Sequence, residues 1–139
     1  MPRTKAPSAP QLITTCTSLD DLALTLLERI RLKVDLTKMG TAKMIVQHAL
    51  EEKIKLPGIT KFYQEVWINL AFEDAPRFSP MRLDWTPEEN ALLRIYARHL
   101  LRSNNRSEAL RVLIAYYAVQ NKLAVVGQLK KATIIPTRS

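Results

Sequence analysis

The chain has 139 residues, 47% hydrophobic and 24% charged, which is typical of a folded protein rather than a disordered one. Its formal net charge of +8 indicates a polyanionic partner without specifying which. The single cysteine, Cys16, excludes an intramolecular disulfide, and two distant histidines leave no zinc site, so we expect a reducing, cytoplasmic setting. No apolar run approaches the roughly 20 residues that a bilayer span needs, and we expect neither membrane contact nor a signal segment.

The N-terminal residues predict a tail followed by a helix. Residues 1–17 contain three prolines and two basic side chains, which are typical of a flexible, extended tail. Ser18 is the expected N-cap, because Asp20 and Asp21 then lie in the first turn, where the helix dipole favours negative charge. Apolar residues recur at three- and four-residue steps after this cap, so we expect the helix to run to about Lys33.

Two further helices are expected before a proline-containing connector. The first runs from Thr41 to about Lys55, and Leu56-Pro57-Gly58 is expected to end it, because proline cannot continue the hydrogen-bond ladder. Thr60 is expected to cap another helix that reaches about Phe72. Residues 18–75 would then form an N-terminal helical lobe, and residues 76–85 a connector with one candidate short strand near 81–85.

The next helix has the clearest start in the sequence. In Thr86-Pro87-Glu88-Glu89, threonine caps, proline takes the first helical position and the last glutamate completes a capping box. Asn105 and Glu108 repeat the cap-and-glutamate spacing and open a helix to about Asn121. A sixth helical segment around Leu123–Lys131 is a weaker candidate. We see no internal repeat, and the fold class predicted is all-α: a small bundle of five to six helices in two lobes.

The net charge belongs to the last third of the chain. Residues 90–139 contain nine basic residues against Glu108 alone, whereas the first 89 residues contain twelve of each sign. Arg94, Arg98 and Arg102 are spaced to stack along one face of a helix, and they would repel one another unless something negative lies beside them. We therefore expect residues 86–139 to form a basic helical lobe that contacts nucleic acid through Arg94, Arg98, Arg102, Arg106, Arg111, Lys122, Lys130 and Lys131.

Catalytic motifs are absent from the sequence. It contains no glycine-rich phosphate loop, no nucleophile–histidine pairing and no carboxylate cluster suited to a metal. We expect no enzymatic activity, no cofactor, no metal and no small-molecule substrate.

Residues 81–117 resemble the ribbon-helix-helix module of DNA-binding repressors. The matching features are a candidate strand, the Thr-Pro-Glu-Glu cap, an amphipathic helix, a polar turn and Arg106-Ser107-Glu108-Ala109 opening a second helix. The resemblance implies a dimeric transcriptional regulator in which Arg82 and Asp84 read the major groove and backbone amides near Asn105 and Arg106 clamp phosphate. Pro80 within the strand, a turn without glycine and the long helical segment ahead of the module depart from that pattern.

In length, basicity and helical layout the whole chain is similar to the small helical subunits of CRISPR effector complexes, the type I-D subunit in particular. No motif defines that family, so no residue is transferred. The resemblance implies copies of the chain, and a larger subunit, holding RNA or DNA backbone without sequence preference. We prefer this interpretation at the sequence level because the excess charge lies on helices rather than on the candidate strand. A helical adaptor without nucleic-acid contact is the third alternative.

Overall fold

The computed structural model describes residues 12–69 and 78–124. Within these residues the chain forms two strands, five α-helices and two short helical turns. In chain order the elements are β1 (Ile13–Asp20), α1 (Asp21–Val34), α2 (Lys38–Leu50), α3 (Leu56–Glu65), a 3₁₀ turn (Trp67–Asn69), β2 (Phe78–Trp85), α4 (Pro87–Tyr96), a π-helical turn (Ala97–Leu101) and α5 (Arg106–Gln120).

The two strands pair antiparallel as a ribbon, so the predicted all-α class is only partly correct: the protein is mostly helical but contains a small sheet. Cys16 lies opposite Arg82, and Ser18 lies opposite Pro80. The first strand includes residues 13–17, which we had predicted to belong to an extended tail. Ser18 is inside this strand rather than at a helix start, and Asp20 is the N-cap of α1 instead. The strand expected near 81–85 is present and begins earlier, at Phe78.

The helices between the two strands differ from the prediction mainly at their ends. Thr37 caps α2, four residues before the predicted start, and the helix ends at Leu50. Pro57 does not end that helix; it lies in the first turn of α3, where its missing N–H needs no partner. Thr60, the predicted cap of this helix, is in its interior, and its hydroxyl donates to the carbonyl of Leu56.

The helix starts predicted at Thr86 and Asn105 are confirmed. Thr86 accepts a hydrogen bond from the Glu89 amide while the Glu89 carboxylate accepts one from the Thr86 amide, which completes the capping box. The Asn105 side chain accepts from the Glu108 amide at 3.0 Å. The last helix ends at Gln120, as expected. The predicted sixth helical segment, around Leu123–Lys131, lies almost entirely outside the described residues.

The order strand–helix–helix occurs twice, as β1–α1–α2 and as β2–α4–α5. The first helix of each half ends at a residue in the left-handed conformation, Asp35 with φ 61° and Arg102 with φ 54°. The helices then pack across the halves: α1 on α5, α2 on α4, and α2 on α5. The two halves thus share an order of elements without sharing a recognisable sequence repeat.

The second half supplies the central helix of the core. Residues Ala109–Ala118 of α5 are buried on every side, because helices α1–α4 and strand β1 all contact it. One cluster of buried side chains includes residues from both strands and all five α-helices. No helix within the described ranges combines the length and the apolarity that crossing a membrane requires.

Candidate nucleic-acid interface

The ribbon has one face on the core and one face toward solvent. Side chains alternate along each strand, so Leu19, Leu83 and Trp85 are buried against the helices. The opposite face consists of three cross-strand pairs. They are Thr14 with Asp84, Cys16 with Arg82, and Ser18 with Pro80.

The outward face is polar and accessible. Cys16 and Arg82 are both exposed, and so are Thr14 and Pro80. The Thr14 hydroxyl donates to Oδ1 of Asp84 at 2.6 Å, which leaves Oδ2 of that carboxylate without a protein donor in the described structure. No hydrogen bond or ion pair within the described residues engages the Arg82 guanidinium. The face thus presents one unpaired guanidinium, one half-engaged carboxylate and three small polar side chains.

The turn between α4 and α5 lies against the first strand. The Ser18 amide donates to the Ser107 hydroxyl at 3.1 Å. A shallow pocket of about 190 Å³ separates the turn from the strand; its lining consists of Thr15, Cys16, Thr17, Trp85, Leu93, Asn104, Asn105, Arg106 and Ser107. The N-terminal end of α5 therefore faces the edge of the ribbon. This end carries the positive pole of the helix dipole.

Arg94, Arg98 and Arg102 are all exposed, but they do not form the straight α-helical row expected. The α-helix ends at Tyr96 and a π-helical turn follows at Ala97–Leu101, so the 3.6-residue period that would stack the three side chains is not kept. Arg102 lies beyond the π-helical turn as its C-cap residue, in the left-handed conformation. Their guanidinium groups make no hydrogen bond or ion pair with any part of the chain that the structure describes.

Arg106 and Arg111 are less available than their neighbours. Arg106 is partly buried and donates from Nη1 to the side-chain oxygen of Asn90. Arg111 is only 8% exposed, and its Nη1 donates to the carbonyl of Ser18 at 2.8 Å. Its guanidinium carbon also lies 5.0 Å from the centre of the Phe78 ring. This arginine therefore fastens α5 to both strands, and we leave it out of the proposed interface.

The remaining predicted lysines are separated from this region or outside the described structure. Lys122 is exposed just beyond the C-terminal end of α5, with φ 59°, whereas the candidate interface lies at the N-terminal end of that helix. Lys130 and Lys131 lie outside the described residues, and their assignment stays a prediction. Of the eight predicted positions, Arg102 and Arg106 are thus in or beside the turn that meets the ribbon.

A partly buried ion pair joins α2 to α4 beside the second strand of the ribbon. Glu89 is 1% exposed, and its carboxylate accepts hydrogen bonds from Lys43 Nζ at 2.8 Å and from Gln47 at 2.6 Å. Burial raises the pKa of this carboxyl, but hydrogen bonds from Lys43, the Thr86 amide and Gln47, with the charge of Lys43, together bring the pKa below its ordinary range. The same Lys43 ammonium donates to the Asp84 carbonyl and lies 5.2 Å from the centre of the Trp85 ring.

Sequence reasoning missed the three outward residues of β1, which are Thr14, Cys16 and Ser18. The available signal was the composition of Ile13–Asp20, where four of the eight residues are β-branched, which favours a strand. Three prolines upstream, and the adjacent aspartates Asp20 and Asp21, favoured the competing interpretation of a tail and a helix cap. Lys43 and Gln47 were also missed, because only the packing of α2 on α4 brings them to Glu89.

Within residues 12–69 and 78–124, no group of three metal-ligating side chains comes together. The chain matches no protein-family model, and comparisons with curated proteins and with solved structures gave no significant match. The outward face of the ribbon and the adjoining turn are therefore interpreted from their own geometry.

Proposed function

We propose that this protein binds duplex DNA through the outward face of the β1–β2 ribbon, as a single-chain counterpart of the ribbon-helix-helix repressors. The observation that carries the proposal is the repeated strand–helix–helix order, with one strand of the ribbon from each half. In those repressors the ribbon is built by two chains, whereas here both strands belong to one chain. A two-stranded ribbon fits the major groove of B-DNA, where each base pair presents a distinct pattern of donors and acceptors.

The outward side chains are suited to reading base edges. Arg82 is central on the face and has no partner among residues 12–69 and 78–124. A guanidinium pairs with O6 and N7 of guanine through two parallel hydrogen bonds. Oδ2 of Asp84 is available to accept from the N4 amino group of cytosine. Thr14 and Ser18 contribute hydroxyl groups that serve as donors or acceptors. The face is thus chemically equipped for sequence preference.

The turn between α4 and α5 supports the same proposal, because it places phosphate-binding groups beside the ribbon. The N-terminal end of α5 offers backbone amides and a favourable dipole for an anion. Arg102 follows α4 immediately before this turn and is exposed and unpaired in the described structure. In this role the turn positions the ribbon on the duplex without contributing sequence information.

The CRISPR-like interpretation keeps one observation in its favour. Arg94, Arg98 and Arg102 are exposed on α4 and its π-helical turn, without an acidic partner among the described residues. Such a surface suits a phosphate backbone of any sequence, single-stranded or double-stranded. We rank it second, because it assigns no role to the paired strands or to the side chains that they present.

One pair of variants separates the two functions. Sequences enriched from a randomised duplex pool serve as the specific probe, and an unselected pool serves as the competitor. We expect Arg82→Ala to lower the ratio of specific to nonspecific affinity by about tenfold, since one good bidentate pair discriminates by about 1–3 kcal/mol. Arg98→Ala removes a matched exposed arginine on the π-helical turn and should leave that ratio unchanged.

The opposite pattern would favour the second candidate. If Arg82→Ala leaves the ratio unchanged while charge reversal of Arg94, Arg98 and Arg102 abolishes binding to single and double strands alike, the helical surface is the site and the ribbon is not. No binding to either nucleic acid would favour the adaptor interpretation instead.

A further inference from the structure

The two strands of the ribbon occupy equivalent places in the two halves, and the helix caps define the equivalence. Asp20 caps the helix after β1, and Thr86 caps the helix after β2. Cys16 lies four positions before the first cap, and Arg82 lies four positions before the second. These two residues are also directly opposite each other in the ribbon. The approximate two-fold axis of the ribbon therefore passes between Cys16 and Arg82.

The same axis relates the outer pairs of the face. Ser18 and Asp84 both lie two positions before their caps, and Thr14 and Pro80 both lie six positions before them. The register places Thr14 opposite Asp84 at one end of the ribbon and Ser18 opposite Pro80 at the other. The backbone thus presents six outward positions as three equivalent couples, as a symmetric dimer would.

The side chains at these positions do not share the symmetry of the backbone. The first strand presents Thr14, Cys16 and Ser18, which are small and uncharged, whereas the second presents Pro80, Arg82 and Asp84. No couple contains the same residue twice. One end of the face carries a carboxylate with one oxygen that no described donor engages, and the other end carries a serine beside a proline that has no donor. Two half-sites of identical sequence would therefore meet different chemistry.

We infer that the target is a duplex site without two-fold symmetry, which one copy of the chain binds in a single orientation. This inference rests on the proposed function and specifies its ligand. The two-fold axis that makes the half-sites of a homodimeric repressor palindromic is present here only in the backbone. Arg82 and Asp84 are the specificity-determining residues on one strand, and Ser18 and Thr14 contribute hydroxyl groups from the other.

Selection from a randomised duplex pool tests the inference with the full chain. The expected result is a motif that differs from its own reverse complement, bound by one chain per duplex. Two palindromic duplexes, each made from one half of the motif and its inverted copy, are expected to bind about tenfold more weakly than the parent sequence. A palindromic motif, or equal affinity for a palindrome and the parent, would overturn the inference while leaving duplex binding intact.

A variant whose two strands present the same outward side chains provides a second test. Cys16→Arg, Ser18→Asp and Pro80→Thr together give both strands the same outward sequence and keep Arg82 and Asp84, the residues proposed to read bases. Selection with this variant is expected to return a motif with two-fold symmetry, whereas the control Cys16→Ser keeps the asymmetric motif. An asymmetric motif retained by the threefold variant would show that the asymmetry does not come from the ribbon. Failure of the native chain to bind any duplex would instead reject the proposed function itself.

Discussion

At the scale of single residues, some charged side chains hold the fold together and others are exposed to solvent. Glu89 and Arg111 are both buried and hydrogen-bonded, and each joins a helix to something outside its own half: Glu89 to Lys43 and Gln47 of α2, Arg111 to the carbonyl of Ser18 in β1. Arg82 and Arg98 are exposed and make no such bond in the described part of the chain. Charge alone therefore does not distinguish arginines that hold the fold from those available to a ligand.

Removing the charge of Glu89 should destabilise the protein and change its response to acid. Glu89→Gln leaves Lys43 without its anion. Because the Lys43 side chain is 30% exposed and still donates to the Asp84 carbonyl, we expect a loss of about 2 kcal/mol in the free energy of unfolding. Because the folded pKa of Glu89 is depressed, its contribution is fully present above the ordinary value of about 4.5 and is lost as the pH falls through the folded pKa. Urea unfolding at several pH values measures both effects.

Comparing the pH dependence of unfolding of the native chain with that of Glu89→Gln separates the contribution of the Glu89 carboxyl from those of the other carboxyl groups. We expect the free energy of unfolding of the native chain to fall more steeply below about pH 4.5 than that of Glu89→Gln, so that the two curves converge in acid. Parallel curves over the whole range would mean that the ion pair with Lys43 does not stabilise the folded state.

Arg111 should behave as a structural residue although it belongs to the basic third of the chain. Burial lowers the pKa of its guanidinium, and the charges of Asp20 and Glu108 oppose that shift. Truncation by Arg111→Ala removes a charge-assisted hydrogen bond to Ser18, so we expect a loss of about 2 kcal/mol in the free energy of unfolding. The exposed Arg98→Ala should change stability by less than about 0.5 kcal/mol. Thermal and urea unfolding of both variants checks this, and equal losses would contradict the assignment.

At the scale of elements, the end of α4 decides how the arginines are displayed. Three basic residues at four-residue steps predicted a straight row, but the π-helical turn at Ala97–Leu101 and the left-handed Arg102 redirect the chain toward the turn before α5. That sequence carries no glycine or proline to indicate the widened turn. The outcome is that Arg102 adjoins the turn that meets the ribbon, while Arg94 remains on the helix.

The salt dependence of DNA binding can separate these arginines. If all three contact phosphate, replacing Arg94, Arg98 and Arg102 by glutamine should lower the slope of log affinity against log salt concentration by about 3. The proposed use of the turn before α5 predicts a smaller change, of about 1, that Arg102→Gln alone reproduces. Fluorescence anisotropy with a labelled duplex over a range of salt concentrations measures the slopes. A reduction of about 3 for the triple variant would assign the whole surface to the backbone.

At the scale of the whole molecule, the fold contains the strand–helix–helix order twice. The sequence predicted the helices of the second half from local caps, but it did not predict strand β1 of the first half. The capping box at Thr86 and the side-chain cap at Asn105 are local, so their residue spacing sufficed to place α4 and α5. Strand β1 depends on pairing with a segment some 65 residues away, and a lone strand with mixed polar residues has little local preference for its conformation. The sequence therefore indicated a strand only in the second half, and it did not reveal that residues 13–20 form the strand that pairs with it.

The central claim is that the outward face of the ribbon enters the major groove, and protection of guanine N7 from methylation tests it most directly. This atom is exposed only in the major groove, and it is one of the two acceptors that Arg82 is proposed to engage. On a duplex selected by the native chain, we predict protection of at least one guanine N7, and loss of that protection in Arg82→Ala while Arg98→Ala retains it. Tight binding with every guanine N7 still reactive would contradict the account.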